Sequence, residues 1–223
     1  MRTKILLTAA AAMVAGLVSS NAQVYSANIV GYVNYTSSTT SPKYELIANP
    51  LDNGSNTLAS VFSKPAGGSS LTIWTGSGFG LIATFTAGHW KTNGVTADNY
   101  VLPPGTGVFA QWSAPYTNTF VGQVDPVVGA TNTTVLPAGY QLVSSLVPYA
   151  DYVTNTGTVN ITGVTGGTTI TEWDTANQSF DLLYTFTAGH WKLGGVNNTP
   201  QLGIGQGFFF NAAAPYNWTQ VGP

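Results

Sequence analysis

The chain has 223 residues, 43% of them hydrophobic and only 6% charged, with 26 Gly, 6 Trp and no Cys. Without Cys there is neither a disulfide nor a thiol for lipid attachment, so an ordinary core has to hold the fold. Past residue 22, four Lys (Lys43, Lys64, Lys91, Lys192) stand against eight acidic residues, a net charge of −4 that argues against any nucleic-acid partner, because phosphate binding needs clustered cations.

The chain opens with Arg2 and Lys4, the apolar run Ile5–Val18 and the small residues Ser20-Asn21-Ala22. This predicts an export signal over 1–22, cleaved after Ala22. No later segment approaches the roughly 20 apolar residues of a membrane span, so the mature chain is expected to have none and to work in the periplasm, outside the cell or on its surface. The remainder reads as two tandem units, 23–122 and 123–223. Val30-Gly-Tyr-Val33 returns as Val121-Gly-Gln-Val124 and again as Val221-Gly222, so each unit opens and closes on the same segment. The middle copy is expected to be a strand that both units share or that links them.

Inside the first unit, Tyr44–Leu51 alternates like a strand before a Pro turn, and Thr57–Ser63 is the one helix candidate. Ser70–Phe85 reads as two strands around Gly76-Ser-Gly78. The octapeptide Thr84–Lys91, "TFTAGHWK", is a turn that ends one strand and starts the next with a Trp. Leu102–Trp112 begins with glycines and ends as a buried strand. The second unit repeats these landmarks: Tyr140-Gln-Leu-Val143, Thr171-Glu-Trp173, a turn at Asp174-Thr-Ala-Asn177, Thr185–Lys192 and Leu202–Phe209. The offset drifts only from 96 to 101. Short strands with Gly, Pro and Asn turns predict an all-β protein of two pseudo-symmetric β-sandwich or open-barrel repeats.

Together, "NIVGYVN", "YELIANPLDNGSNTLASVF", "TIWTGSGF", "PPGTGVF" and "TNTFVGQV" resemble a group of secreted proteins found mainly in Verrucomicrobia and Planctomycetes. The resemblance covers essentially all of the chain after the signal. It implies a signal peptide followed by a two-unit β-repeat, and it carries over no activity, cofactor or site residue.

Four sets of residues are candidates for chemistry. The only histidines, His89 and His190, sit in the two octapeptides, where neither copy has a nearby acid or second ligand, so the pattern reads as framework. Glu172, Asp174 and Asp181 flank the turn of the second unit, where the first has Ile73, Thr75 and Gly80. Asp151 lies upstream. As oxygen donors, with Asn177, the flanking acids would hold Ca²⁺ weakly, or as paired carboxylates serve glycoside hydrolysis, although turn geometry alone is the commoner reason for Asp and Asn in an exposed hairpin. Trp112 and Trp218 face Ala212 and Asn118 across the repeat. Being unpaired they are expected at the surface, where with Tyr116 and Tyr216 they would stack on sugars. Gly105-Thr-Gly107 and Gly205-Gln-Gly207 lack the Lys and helix of a phosphate loop.

These features predict an exported, non-enzymatic protein of the periplasm or cell surface with a structural, adhesive or matrix role and no cofactor. Its partners would be further copies of itself or envelope components, with strands such as Gly207–Ala212 adhesive if they lie at an edge. The alternative is a carbohydrate-binding module that takes a polysaccharide.

Overall fold

In the computed structural model of the protein, the described residues are 30–37 and 43–223. The expected signal, 1–22, lies outside them. The first half runs from β1 (Val30–Thr36) to β8 (Thr117–Gln123), which pair antiparallel as a ribbon. Between them come β2 (Lys43–Ala48), the single helical turn α1 (Leu58–Val61), β3 (Ser70–Trp74), β4 (Phe79–Thr86), β5 (His89–Thr92), β6 (Val95–Thr96) and β7 (Gly107–Trp112). These strands form one six-stranded sheet of order β2-β7-β3-β4-β5-β6.

The second half starts with β9 (Thr131–Leu136) and ends with β18 (Tyr216–Val221), which also pair as a ribbon. Its other strands are β10 (Gly139–Val143), β11 (Asp151–Tyr152), β12 (Thr169–Asp174), β13 (Ser179–Thr187), β14 (His190–Leu193), β15 (Val196–Asn197), β16 (Gln201–Leu202) and β17 (Phe208–Ala212). Six of them form a second sheet of order β10-β17-β12-β13-β14-β15, and β11 pairs with β16. The architecture is all-β, and no sheet closes into a barrel. No helix among the described residues is long and apolar enough to cross a membrane.

Each octapeptide does what its residues require. Ala87 and Gly88 have φ of 51° and 83°, and Ala188 and Gly189 have 51° and 79°. Two successive positive φ angles give the tight turn whose twist matches antiparallel strands. The next residue, His, stays outside and the following Trp turns inward, leaving Trp90 and Trp191 buried. At α1, Thr57 caps the turn by accepting from the Ser60 amide, within the predicted Thr57–Ser63.

In the first half, Leu71, Ile73, Ala83, Phe85, Trp90 and Val108 of the sheet pack with Trp112, Phe62 and the ribbon residue Phe120. In the second, Ile170, Tyr184, Trp191, Phe208 and Phe210 pack with Trp218 and Leu136 of their ribbon. A third cluster joins the halves: Leu46, Leu142 and Phe209 are buried with Trp74, Phe109 and Trp173 packed around them. Phe109 and Phe209 alternate with residues that face the two main cores, so each sheet packs its ribbon on one face and the other half on the opposite face.

Two expectations are corrected here. Of the two alternatives for the middle Val-Gly segment, sharing is not seen: β8 pairs with β1, with Gly31 opposite Gly122, and bridges Asp52 of the same half. Nor does Gly207–Ala212 lie at an edge, since β17 sits between β10 and β12. The edge strands are β2 and β6 in one sheet and β10 and β15 in the other. β6 and β15 have two residues each, which leaves little backbone for another chain to pair with.

The Val-Gly signature has a packing cause. A Cβ on Gly122 would press on the backbone of Asp52 and Asn53, and one on Gly222 on the carbonyls of Pro126 and Val127. Backbone cannot swing aside as a side chain can, so Gly122→Ala and Gly222→Ala are each expected to destabilise by about 1–3 kcal/mol in urea unfolding. Gly67→Ala, whose Cβ would meet nothing within 4 Å, should stay near wild type. Equal effects at all three positions would refute the packing account.

Candidate functional site

The sequence candidates do not converge. Trp112 and Trp218 are each 2% exposed, and Tyr116 is buried. The Trp112 Nε1–H donates to the Tyr35 hydroxyl at 2.6 Å, and the Trp218 Nε1–H to the Val159 carbonyl at 2.7 Å. Tyr116 and Tyr216 donate their hydroxyls to the Ser63 and Thr162 carbonyls, both at 3.0 Å. The expectation of surface rings is therefore overturned for Trp112, Trp218 and Tyr116, because a ring must expose a face to stack on a sugar, whereas Tyr216 is half-buried. Tyr35 in turn donates to the buried Glu45 carboxylate. Burial comes first among the causes that raise the Tyr35 and Tyr116 phenols, so both remain protonated.

The acidic residues organise turns. Asp174 Oδ1 accepts from the Ala176 and Asn177 amides at 2.7 and 3.0 Å, and its Oδ2 from Asn177 Nδ2 at 2.9 Å. Asp151 accepts from the Tyr152 amide, Asn155 Nδ2 and Thr158 Oγ1, and the backbone bond from Tyr152 leads in holding its carboxyl below the usual range. A bulge at Trp173 separates Glu172, which is buried, from Asp174, and Asp181 is exposed. Among the described residues no three His, Cys, Asp or Glu side chains gather as a metal would require.

His89 does have an acid, one that lies seven residues past the octapeptide. Its Nδ1 is 2.7 Å from Asp98 Oδ2, while Asp98 Oδ1 accepts the Trp90 amide at 2.7 Å. The His89 hydrogen bond is the leading reason the Asp98 carboxyl sits below its ordinary value. The pair locks the end of the β5–β6 hairpin: 57% of the His side chain faces solvent, and among the described residues no nucleophile bonds to it. In the second half Thr199 takes the place of Asp98, aligned through the matched bonds from Ala97 to Trp90 and from Asn198 to Trp191.

Among several concave features of the described residues, one lies between the halves and is walled by aromatic rings. Trp74, Tyr140, Thr171, Phe180, Leu183 and Phe209 line a cavity of about 360 Å³. Tyr140, Phe180 and Leu183 are 48%, 40% and 46% exposed, so their apolar surfaces meet solvent. Packing holds the walls: Trp74 meets Phe209 edge-on at 5.2 Å, and Phe180 meets Phe209 at 5.7 Å. Trp74 Nε1–H donates to the Tyr140 carbonyl at 3.2 Å, and across the interface Trp173 Nε1–H donates to the Tyr44 carbonyl at 2.7 Å.

Sequence analysis found Tyr140, Thr171 and Phe209 among the repeated landmarks but missed them, with Trp74, Phe180 and Leu183, as a surface. Its available signal was the alternation of Thr171 and Trp173, which puts both on the face opposite the core. Known protein families, curated proteins and solved structures contain no match to this chain.

One ionisable group stands apart. Glu172 faces the core where the first half has Ile73, receives Gln206 Nε2–H at 3.2 Å, and keeps Oε1 without a partner among the described residues. Burial pushes its carboxyl up from 4.5 to about 7, and the Gln206 bond offsets this only in part. The same carboxylate, after burial, helps raise the Tyr184 phenol. Since the folded value is the higher one, its stability contribution is complete below about pH 4.5 and is lost as pH rises through 7, by up to about 3 kcal/mol. The urea midpoint should fall between about pH 5 and 8, and Glu172→Gln should flatten that fall. An unchanged slope in the variant would assign the dependence to other groups.

Proposed function

We propose that the protein is an exported, non-enzymatic β-protein of the periplasm or cell surface that acts by adhesion, with the cleft between its halves as the binding surface. The observation that carries this reading is the cleft itself: exposed aromatic and aliphatic walls around about 360 Å³, within the range of small-ligand sites. Export rests on the composition of residues 1–22. The non-enzymatic reading draws on the roles the acids and His89 already play in turns.

We also take residues 23–122 and 123–223 as two copies of one unit. Support comes from contacts that recur in matched pairs across the interface, such as Trp74 to Tyr140 and Trp173 to Tyr44. The ribbon surfaces suit an adhesive role as well: Tyr32, Val121 and Val135 stand exposed among Thr and Asn side chains, with Thr133 and Thr219 bonded across one ribbon.

A carbohydrate partner is the second reading, favoured by the exposed faces of Tyr140 and Phe180. It keeps the polysaccharide but moves the platform away from Trp112 and Trp218.

The purified protein should bind saturably to cell-envelope fractions or to one class of polysaccharide. Leu183→Lys puts a charge on the cleft wall at an exposed position and should weaken that binding about tenfold or more at unchanged thermal stability. Ile82→Lys, at the matched position opposite Thr72, is the control and should bind as wild type does. No saturable binding to any fraction, or equal loss in both variants, would overturn the reading.

A further inference from the structure

The two sides of the interface are not equally filled. On the Tyr44 side, the turn between β12 and β13 delivers Gln178, whose Oε1 accepts the Tyr44 amide at 2.8 Å and whose Nε2–H donates to the Tyr44 carbonyl at 3.1 Å. That carbonyl also accepts Trp173 Nε1–H, so one backbone residue holds an indole and a carboxamide together. Gln178 has a φ of 56°, unusual for a residue with a side chain, and its amide and Nε2 are tied to the Asp174 and Thr175 carbonyls. The turn is built to present this side chain.

On the Tyr140 side the indole is in place and the carboxamide is not. The corresponding turn, Thr75-Gly-Ser-Gly78 between Trp74 and Phe79, is two residues shorter than Asp174–Ser179 and carries no Asn or Gln. The Tyr140 carbonyl accepts from Trp74 on the outer edge of β10, and in an extended strand a residue's N–H lies on the same edge as its carbonyl. No hydrogen bond to that N–H exists among the described residues. The rings differ correspondingly: Tyr44 stacks on Phe109 at 4.9 Å and 12°, whereas Tyr140 stands edge-on to Phe209 at 6.3 Å and 80°. The cavity opens at Tyr140 and Trp74.

We propose that the cleft binds the primary carboxamide of a glutamine or asparagine side chain carried by a partner polypeptide, clasped by the Tyr140 N–H and C=O as Gln178 is clasped by Tyr44. A primary amide offers an oxygen and an N–H on adjacent corners, which suits the paired N–H and C=O of one strand residue. A secondary amide of trans geometry, such as an acetamido sugar carries, points its oxygen and N–H in opposite directions and makes only one of the two bonds. The side-chain stem lies on the apolar wall of Phe209 and Leu183, and the short Gly-Ser-Gly turn leaves room for the backbone that bears it. The inference rests on the adhesive reading and names the group that the cleft recognises.

The test uses the purified protein and follows the Tyr140 backbone amide by NMR during titration with acetyl-Gln-methylamide. Saturable movement at one site is expected. Acetyl-Glu-methylamide should bind at least about tenfold more weakly, because a carboxylate cannot donate to the Tyr140 carbonyl, and N-acetylglucosamine should compete poorly. Replacing Thr75–Gly78 with Asp-Thr-Ala-Asn-Gln-Ser should fill the cleft from within and abolish binding. Gln178→Ala should expose the Tyr44 clasp and raise the stoichiometry from one to two. A Tyr140 amide that does not move in the wild-type protein, or Gln and Glu probes that bind equally, would overturn the inference even if both variants failed to fold. Envelope binding that persists and is not competed by the Gln probe would sink the carboxamide assignment while leaving adhesion standing.

Discussion

An edge strand turns the amide and carbonyl of every second residue away from its sheet, and buried groups of this kind have to be bonded. The structure is organised around satisfying them on β2 and β10. Each edge is met by the strand-start turn of the other half: the Ala48 amide bonds to the Gly205 carbonyl at 2.8 Å, and the Ser144 amide to the Gly105 carbonyl at 2.9 Å. Those turns can approach because they carry glycine. A Cβ on Gly105 or Gly107 would press into Leu146 or Leu142, and one on Gly207 would crowd the Ile47 carbonyl. The glycines that resemble a phosphate loop are thus the points where two backbones touch.

Once the edges meet, the aromatic rings between them have no other place to go. Trp173 meets Phe109 at 4.8 Å and Trp74 meets Phe209 at 5.2 Å, each indole reaching across to a strand of the other half. The halves are therefore packed against each other, and the turn beside the cleft is two residues shorter than its counterpart on the other side. Under the proposed binding role, recognition would draw on this difference, since Gln178 fills the Tyr44 side and the Tyr140 side has no such side chain among the described residues.

Much of the frame was legible in the sequence, because local chemistry dictates it. Ala-Gly before His-Trp fixes a tight turn and sends the Trp inward in both copies, and Gly-Ser-Gly and Asp-Thr-Ala-Asn mark the matching hairpins wherever they fall. Trp112 and Trp218 were misplaced because alignment compares positions, whereas a core compares volumes. Trp112 stands opposite Ala212 and Asn118 opposite Trp218, so each core receives one of these large rings, from β7 in one half and from β18 in the other. Asn118 even keeps the bond of its counterpart, donating to the Val61 carbonyl at 2.8 Å where Trp218 donates to Val159. The cleft was hidden for a related reason. Tyr140 and Phe209 look like ordinary strand residues until the two sheets are brought together, and the function of Gln178 depends on a contact 134 residues away in the chain.

The ribbons give the molecule a mechanical character. Val30 pairs with Gln123 in one half and Thr131 with Val221 in the other, so the chain enters and leaves each half at the same end of an antiparallel pair. Tension applied along the polypeptide from outside a half loads its ribbon one rung at a time rather than shearing all rungs together. Such a ribbon peels at low force and closes again when slack returns. In each half the ribbon, and not the six-stranded sheet, is thus the part that a pull on the two ends of the chain would load first.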